Sequence, residues 1–347
     1  MIINILSNLK YNFLRRVGTF LYDKDIGDKL NYKDIKHILI INWYGKFGDA
    51  IISSFIFREL KKDRNIKISV VTTLELKEIY EYYNADNIYI LPKEHTLKDI
   101  KHLALQLTNI DSIIPLIGTL GFKDLYFINY ISPQYLFSTD SELKSSNNNF
   151  IKQSKSLLIN EIYIKILELI GIKDINENYI IPFLDEKNKF QKYNIIYNPF
   201  GSRIDKSISI EKSVSLLKYI GSNYQSANIG VLYSPKTKHI AENIVELVNK
   251  SNIIIVPNIY TISDSINILQ KTEICISVDT SLVHIATGLS IKLIAIYYSA
   301  KVNIWLPKKS ENTKIIFSLR TEKDIYKNMN NFKNYQIIDC IKYFKEK

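Results

Sequence analysis

Hydrophobic positions recur along this chain with two periods. Over residues 1–22, Ile2, Ile5, Leu6, Leu9, Phe13, Leu14, Val17, Phe20 and Leu21 return at helical spacing and predict an amphipathic helix. The polar stretch 23–35 reads as a linker. From residue 37 onward, short apolar runs alternate with amphipathic ones. His37-Ile-Leu-Ile-Ile-Asn42 reads as a buried strand, and further strands are expected over 66–72, 88–91, 111–117 and 124–129. Helices are expected over 74–83, 96–107 and 157–170, with the polar segment 141–155 as a loop. A charged linker over 184–192 precedes a second series. Its strands fit 193–198, 228–233, 252–256, 273–278 and 291–297, and its helices fit 210–222, 237–249, 262–270 and 282–289.

Strands alternating with helices build βαβ units and a parallel sheet. The expected fold class is therefore α/β, with two Rossmann-like doubly wound domains facing a central cleft. The boundaries predicted are an N-terminal extension 1–35, a first domain 36–186, a second domain 187–325, and a C-terminal helix 326–347 that would cross back to the first domain.

A length of 347 residues suits two cores, and 46% apolar with 23% charged residues describes a globular chain. There is no run of eighteen uncharged apolar residues and no secretory signal, so a cytoplasmic protein is expected. Cys275 and Cys340 form neither a disulfide framework nor a zinc pattern. The five histidines are scattered, and no metal site is expected.

The net charge of +11 suggests an anionic partner: a phosphorylated substrate, an acidic membrane face or nucleic acid. A Lys-, Asn-, Ile- and Tyr-rich composition, as AT-rich coding would give, produces the same number. Nucleic acid is the weakest of these options, because no recognised binding motif is present. Residues 1–22 contain Lys10, Arg15 and Arg16 and no acid. That helix either lies on an anionic membrane surface as a peripheral attachment or packs on its own domain.

Three motifs could carry chemistry. Gly45-Lys46-Phe47-Gly48-Asp49 follows the first strand and precedes a helix. Its glycines allow a sharp turn and close approach, and Asp49 is either a general base or a helix cap. Asn198-Pro-Phe-Gly201-Ser202-Arg203-Ile-Asp-Lys206 follows the first strand of the second half. Gly201 and Ser202 suit an anion-binding turn, while Arg203 and Lys206 add positive charge.

Ser277-Val-Asp279-Thr280-Ser281-Leu282-Val-His284 joins a buried strand to a helix start. There the free N–H groups and the helix dipole can hold a phosphate. Asp279 could accept from sugar hydroxyls, and His284 is either near the ligand or a packing residue. Asp23-Lys-Asp25 has a metal-binding D-x-D form but precedes the first core strand, so it reads as exposed charge.

In this order and spacing the motifs resemble the heptosyltransferases of lipopolysaccharide core assembly, glycosyltransferase family 9. The likeness runs over residues 37 to about 307. It implies a GT-B fold with the donor held mainly by the second domain. It also implies metal-independent, inverting transfer of heptose from ADP-heptose to a lipid-linked oligosaccharide, with no cofactor. Asp49 would be the base, with Lys46 and Gly48 on the acceptor side. Lys206 would neutralise the leaving ADP. Asp279 would hold the sugar, with Thr280 and Ser281 on phosphate. Asn198, Gly201, Ser202, Arg203, Leu282 and His284 would complete the donor site.

The chain departs from the family at three places. Ser281 stands where a Gly is usual. Ser234-Pro-Lys-Thr-Lys238 is basic where acids are common. No Trp lies near Lys206. A hexose or N-acetylhexosamine donor is the alternative, as is nucleotide-sugar binding without turnover. A nicotinamide-dependent reaction lacks its G-x-G-x-x-G fingerprint.

Overall fold

Residues 2–26, 31–63, 66–154, 156–185, 187, 189–298, 304–319 and 329–346 are described by the computed structural model. The chain divides into two units, Met1–Asn178 and Tyr179–Lys347.

The first unit begins with α1 (Ile2–Tyr22) and β1 (His37–Asn42). All six β1 residues are buried, as an unbroken apolar run requires cover on both faces of a sheet. There follow α2 (Phe47–Ile52), α3 (Ser54–Asp63), β2 (Lys67–Thr72), α4 (Lys77–Tyr82), β3 (Asn87–Ile90), α5 (Leu97–Gln106), β4 (Ser112–Pro115), α6 (Phe122–Ile131), β5 (Tyr135–Leu136), α7 (Asn148–Ser154) and α8 (Ile159–Ile170). The sheet order is β3-β2-β1-β4-β5. All its pairs are parallel, with Ile38 opposite both Ile68 and Ser112. The winding reverses between β1 and β4, the position at which open α/β sheets generally bind ligands.

Two expectations need correction here. Residues 124–129 are not a strand but the middle of α6. The Gly121 amide donates to the Asp124 carboxylate at 2.8 Å, closing the helix start. The apolar run behind it is buried as one helix face. The polar segment 141–155 also contains a helix, α7.

The first helix is not a detached extension. Its ridge Tyr11–Arg15–Gly18–Tyr22 rests on α6 and the loop before it. A side chain at Gly18 would come within 3.0 Å of the Phe122 backbone, so glycine permits the close crossing. Tyr22 meets Phe122 and Tyr126 edge-on, with ring centroids 5.6 and 5.3 Å apart. Arg15 donates twice to Asp140 at 2.9 Å, to Glu142, and to the Leu120 carbonyl at 3.2 Å. Asp23 is a strap rather than a free charge. Its carboxylate accepts the Lys144 and Ser145 amides at 2.9 and 2.8 Å.

The second unit repeats the plan with β6 (Tyr193–Asn198), α9 (Ile210–Asn223), β7 (Ile229–Val231), α10 (Lys238–Val248), β8 (Ile253–Ile255), α11 (Ile262–Gln270), β9 (Thr272–Val278), α12 (Ser281–Gly288), β10 (Lys292–Tyr298), β11 (Thr313–Ser318) and α13 (Asn334–Glu346). Its parallel order is β11-β10-β9-β6-β7-β8. Here the winding reverses between β6 and β9.

The terminal helix, expected to cross back, belongs to the second unit. It packs on α9, β10 and β11, and Lys212 ties its approach by donating to the Phe332 carbonyl and to Asn334 at 2.7 and 2.8 Å. The division between units falls at 178/179, earlier than the expected 186/187. Tyr179 and Ile181 are buried against Gly288 of α12, and Asn267 holds Phe183 and Asp185 by their backbones.

Candidate active site

In the second unit the site is built where β6 and β9 end side by side. Asn198, the last residue of β6, is 4% exposed. Its amide donates to Ser277 Oγ at 3.0 Å and to Thr280 Oγ1 at 3.4 Å. This network fixes the two strand ends against each other. Thr280 is the N-cap residue of α12 with extended backbone, yet its hydroxyl makes no cap bond. It faces inward to Asn198 and Ser277 instead. The first turn of α12 therefore presents backbone N–H groups and dipole without a side-chain cap, which suits an anion.

The β6 loop folds back towards the same point. The Gly201 amide donates to Ser207 Oγ at 2.9 Å. A Cβ at Gly201 would lie 2.4 Å from the Lys206 carbonyl oxygen, so only glycine lets the turn close. That closure carries Lys206 to Asp279, with Nζ 3.3 Å from Oδ2 and both side chains partly exposed. The structure thus brings Asn198, Lys206, Asp279 and Thr280 together at one switch point, with Ser281 next in the chain.

Three predicted donor residues behave differently. Arg203 is exposed and paired with Asp205, its Nε 2.8 Å from Oδ1. Ser202 is exposed. Leu282 is buried as a packing residue of α12.

His284 is 4% exposed, and its Nδ1 has no hydrogen-bond partner. Burial pushes its pKa down to about 4, against the opposing pull of the Asp279 charge, so the imidazole is neutral.

In the first unit, Gly45 takes a left-handed φ of +66° against Thr73, which lets the chain leave β1 sharply. Asn42 braces this turn by donating to the Lys46 carbonyl at 3.2 Å and to Tyr80 Oη at 2.7 Å. Gly48 and Asp49 lie in the first turn of α2. The N-cap residue is Lys46, so Asp49 is not the cap. Asp49 is 8% exposed, with Lys46 Nζ 3.9 Å from Oδ2.

A further residue at this switch point escaped the sequence reading. Asp124 accepts from Trp43 Nε1 at 2.9 Å, Tyr44 Oη at 2.8 Å and the Gly121 amide at 2.8 Å. It joins the loop after β1 to the start of α6. Burial pushes its pKa up to about 6 despite these donors. The capping-box spacing Gly121-x-x-Asp124 was its one visible signal. Among the described residues there is no group of three or more His, Cys, Asp or Glu that could hold a metal ion.

The two parallel-sheet α/β domains make the fold GT-B, and the second domain carries a helix start without a side-chain cap at its switch point. Residues 182–336 match the model of glycosyltransferase family 9 (heptosyltransferase).

An Escherichia coli (strain K12) protein named "Putative lipopolysaccharide heptosyltransferase 4" is 21% identical over 92% of this chain and 91% of its own length. Among solved structures, a glycosyl transferase family 9 protein from Veillonella parvula DSM 2008 superposes with a TM-score of 0.66 at 15% identity, covering 91% of this chain and 99% of that one. The E. coli ADP-heptose lps heptosyltransferase II gives 0.65 at 14% identity, covering 89% and 99%.

Proposed function

We propose that the protein transfers heptose from ADP-heptose to the core of a lipopolysaccharide or lipooligosaccharide, with inversion and without a metal. The observation that carries this reading is the convergence of Lys206, Asp279 and the start of α12 at the β6/β9 switch point. A sugar diphosphate has two charges to be met there. The amides of α12 with Ser281 and Thr280 meet the phosphates. Lys206 follows the negative charge that builds on the leaving nucleotide. Asp279 accepts from sugar hydroxyls.

The acceptor hydroxyl oxygen forms the new bond to the anomeric carbon. The bond from that carbon to the diphosphate oxygen breaks, and its electron pair leaves with the nucleotide. The acceptor proton passes to Asp49, the acidic group of the first domain's β1–α2 turn. The relatives named above include heptosyltransferases, and this supports heptose as the sugar.

The test is a reaction of the full chain with ADP-heptose and truncated lipooligosaccharide in the presence of a chelator. ADP release with a mass gain of one heptose on the acceptor supports the reading. Turnover with a hexose or N-acetylhexosamine nucleotide instead, and none with ADP-heptose, overturns the donor assignment. ADP-heptose binding with no turnover on any acceptor would mark a binding protein.

A further inference from the structure

The first helix has two differently built faces. The inner ridge, Tyr11–Arg15–Gly18–Tyr22, is fastened to the domain as described. The opposite ridge runs Leu9, Phe13, Arg16, Phe20 at spacings of four, three and four residues, which places all four side chains in one line. Leu9 is 60% exposed, Phe13 66% and Phe20 88%. The neighbouring ridge adds Lys10, Leu14 and Leu21, all exposed. Single exposed apolar residues need no explanation, but three large exposed apolar side chains aligned on a fixed helix do.

The charge beside the stripe is of one sign. Residues 1–22 contain no acid; Arg16 lies within the line and Lys10 on the ridge beside it. The other cation, Arg15, is turned inward to Asp140 and Glu142. The first acid in sequence, Asp23, is spent on the backbone of Lys144 and Ser145. Among the described residues no helix is long and apolar enough to cross a membrane. An apolar line that carries one cation and is bordered by another, on a helix of 21 residues, fits the plane of an anionic bilayer interface. A second copy of this chain would bring its own Lys10 and Arg16 to the contact, with no acid on either helix to pair them.

We infer that the outward face of α1, through Leu9, Phe13 and Phe20 with Lys10 and Arg16, seats the protein on an anionic lipid surface. The inference stands on the helix alone and does not depend on which sugar donor is used.

The experiment is flotation of the full chain with vesicles of phosphatidylethanolamine and phosphatidylglycerol, compared with phosphatidylcholine vesicles. The parent chain should float with the anionic vesicles and lose them as salt is raised. The triple variant Leu9→Ser, Phe13→Ser, Phe20→Ser should lower the bound fraction by at least about tenfold. Lys10→Glu with Arg16→Glu should lower it similarly and abolish the salt dependence. These residues lie outside the packed ridge, so circular dichroism and thermal unfolding of both variants should match the parent.

Equal partitioning of parent and variants would overturn the inference. So would a parent dimer in light scattering that the serine variant converts to monomer, because the stripe would then be a contact between copies. Neither readout requires donor or acceptor, so a failure here is separate from a failure of the transferase reading.

Discussion

Lys206 Nζ and Asp279 Oδ2 stand 3.3 Å apart, joining two loops separated by 73 positions in sequence at the reversal point of the second sheet. Both side chains are partly exposed, so the pair adds little to stability, within about 1 kcal/mol. A donor sugar and its diphosphate would compete for the same two groups. Lys206→Ala should therefore unfold at nearly the parent temperature while losing about 10²–10³-fold in kcat, as when one charge-stabilising donor is removed. Steady-state kinetics beside a thermal melt check this, and a Tm drop with kcat intact would show a purely structural lysine.

Asp49→Asn keeps the shape of the β1–α2 turn but cannot take a proton. Turnover should fall by about 10²–10⁴-fold with nucleotide affinity unchanged. Single-turnover kinetics and calorimetric titration with ADP separate the two quantities. An Asn variant that retains full kcat removes Asp49 as the base.

Gly201→Ala places a methyl group against the Lys206 backbone, whose carbonyl oxygen would be 2.4 Å away. The loop must shift, at a cost of about 1–3 kcal/mol, and it moves Lys206 with it. Donor affinity should fall together with stability, unlike the Lys206→Ala case, where stability holds. Parallel melts of the two variants distinguish them.

Two buried groups predict opposite pH slopes in opposite units. The folded pKa of His284, about 4, lies below its unfolded value of 6.5. The native state then carries fewer protons between those values, and its stability is full above pH 6.5 and is lost as pH falls towards 4. Asp124 has a folded pKa of about 6, above its unfolded 3.8. The native state carries more protons in that window, so its contribution is full below 3.8 and is lost as pH rises through 6. Each effect is on the order of 3 kcal/mol.

His284→Gln should flatten acid destabilisation of the second unit relative to the parent, and Asp124→Asn should leave the first unit with a steeper rise of stability from pH 4 to 6. Denaturant melts across that range measure both slopes. A parent-like slope in either variant dismisses the corresponding group.

Much of this architecture was visible in the residue pattern. The strand 193–198 and the helix 262–270 fall where their apolar runs and flanking polar residues place them. Local pattern failed where distant partners decide. Leu125-Tyr126-Phe127-Ile128 reads as a strand because its residues favour one, but the Gly121–Asp124 start and burial on one face make it helical. β11 carries Lys314 and Phe317 in a weak alternation, and its pairing with β10 defines it. Lys206 and Asp279 were each identifiable as candidates, but their pairing was not, because only the return of the Gly201 loop joins them. Asp124 showed only its capping-box spacing in the sequence, for the same reason. Its donors Trp43 and Tyr44 lie about eighty positions upstream.

Arg15 holds the Leu120 carbonyl, the adjacent Gly121 amide holds Asp124, and Asp124 holds Trp43 and Tyr44 just ahead of the turn that bears Asp49. A chain of hydrogen bonds thus runs from the amphipathic helix to the loop after β1 within the first unit. A force that displaced the helix would load these hydrogen bonds in series, and their far end lies beside the Asp49 helix start.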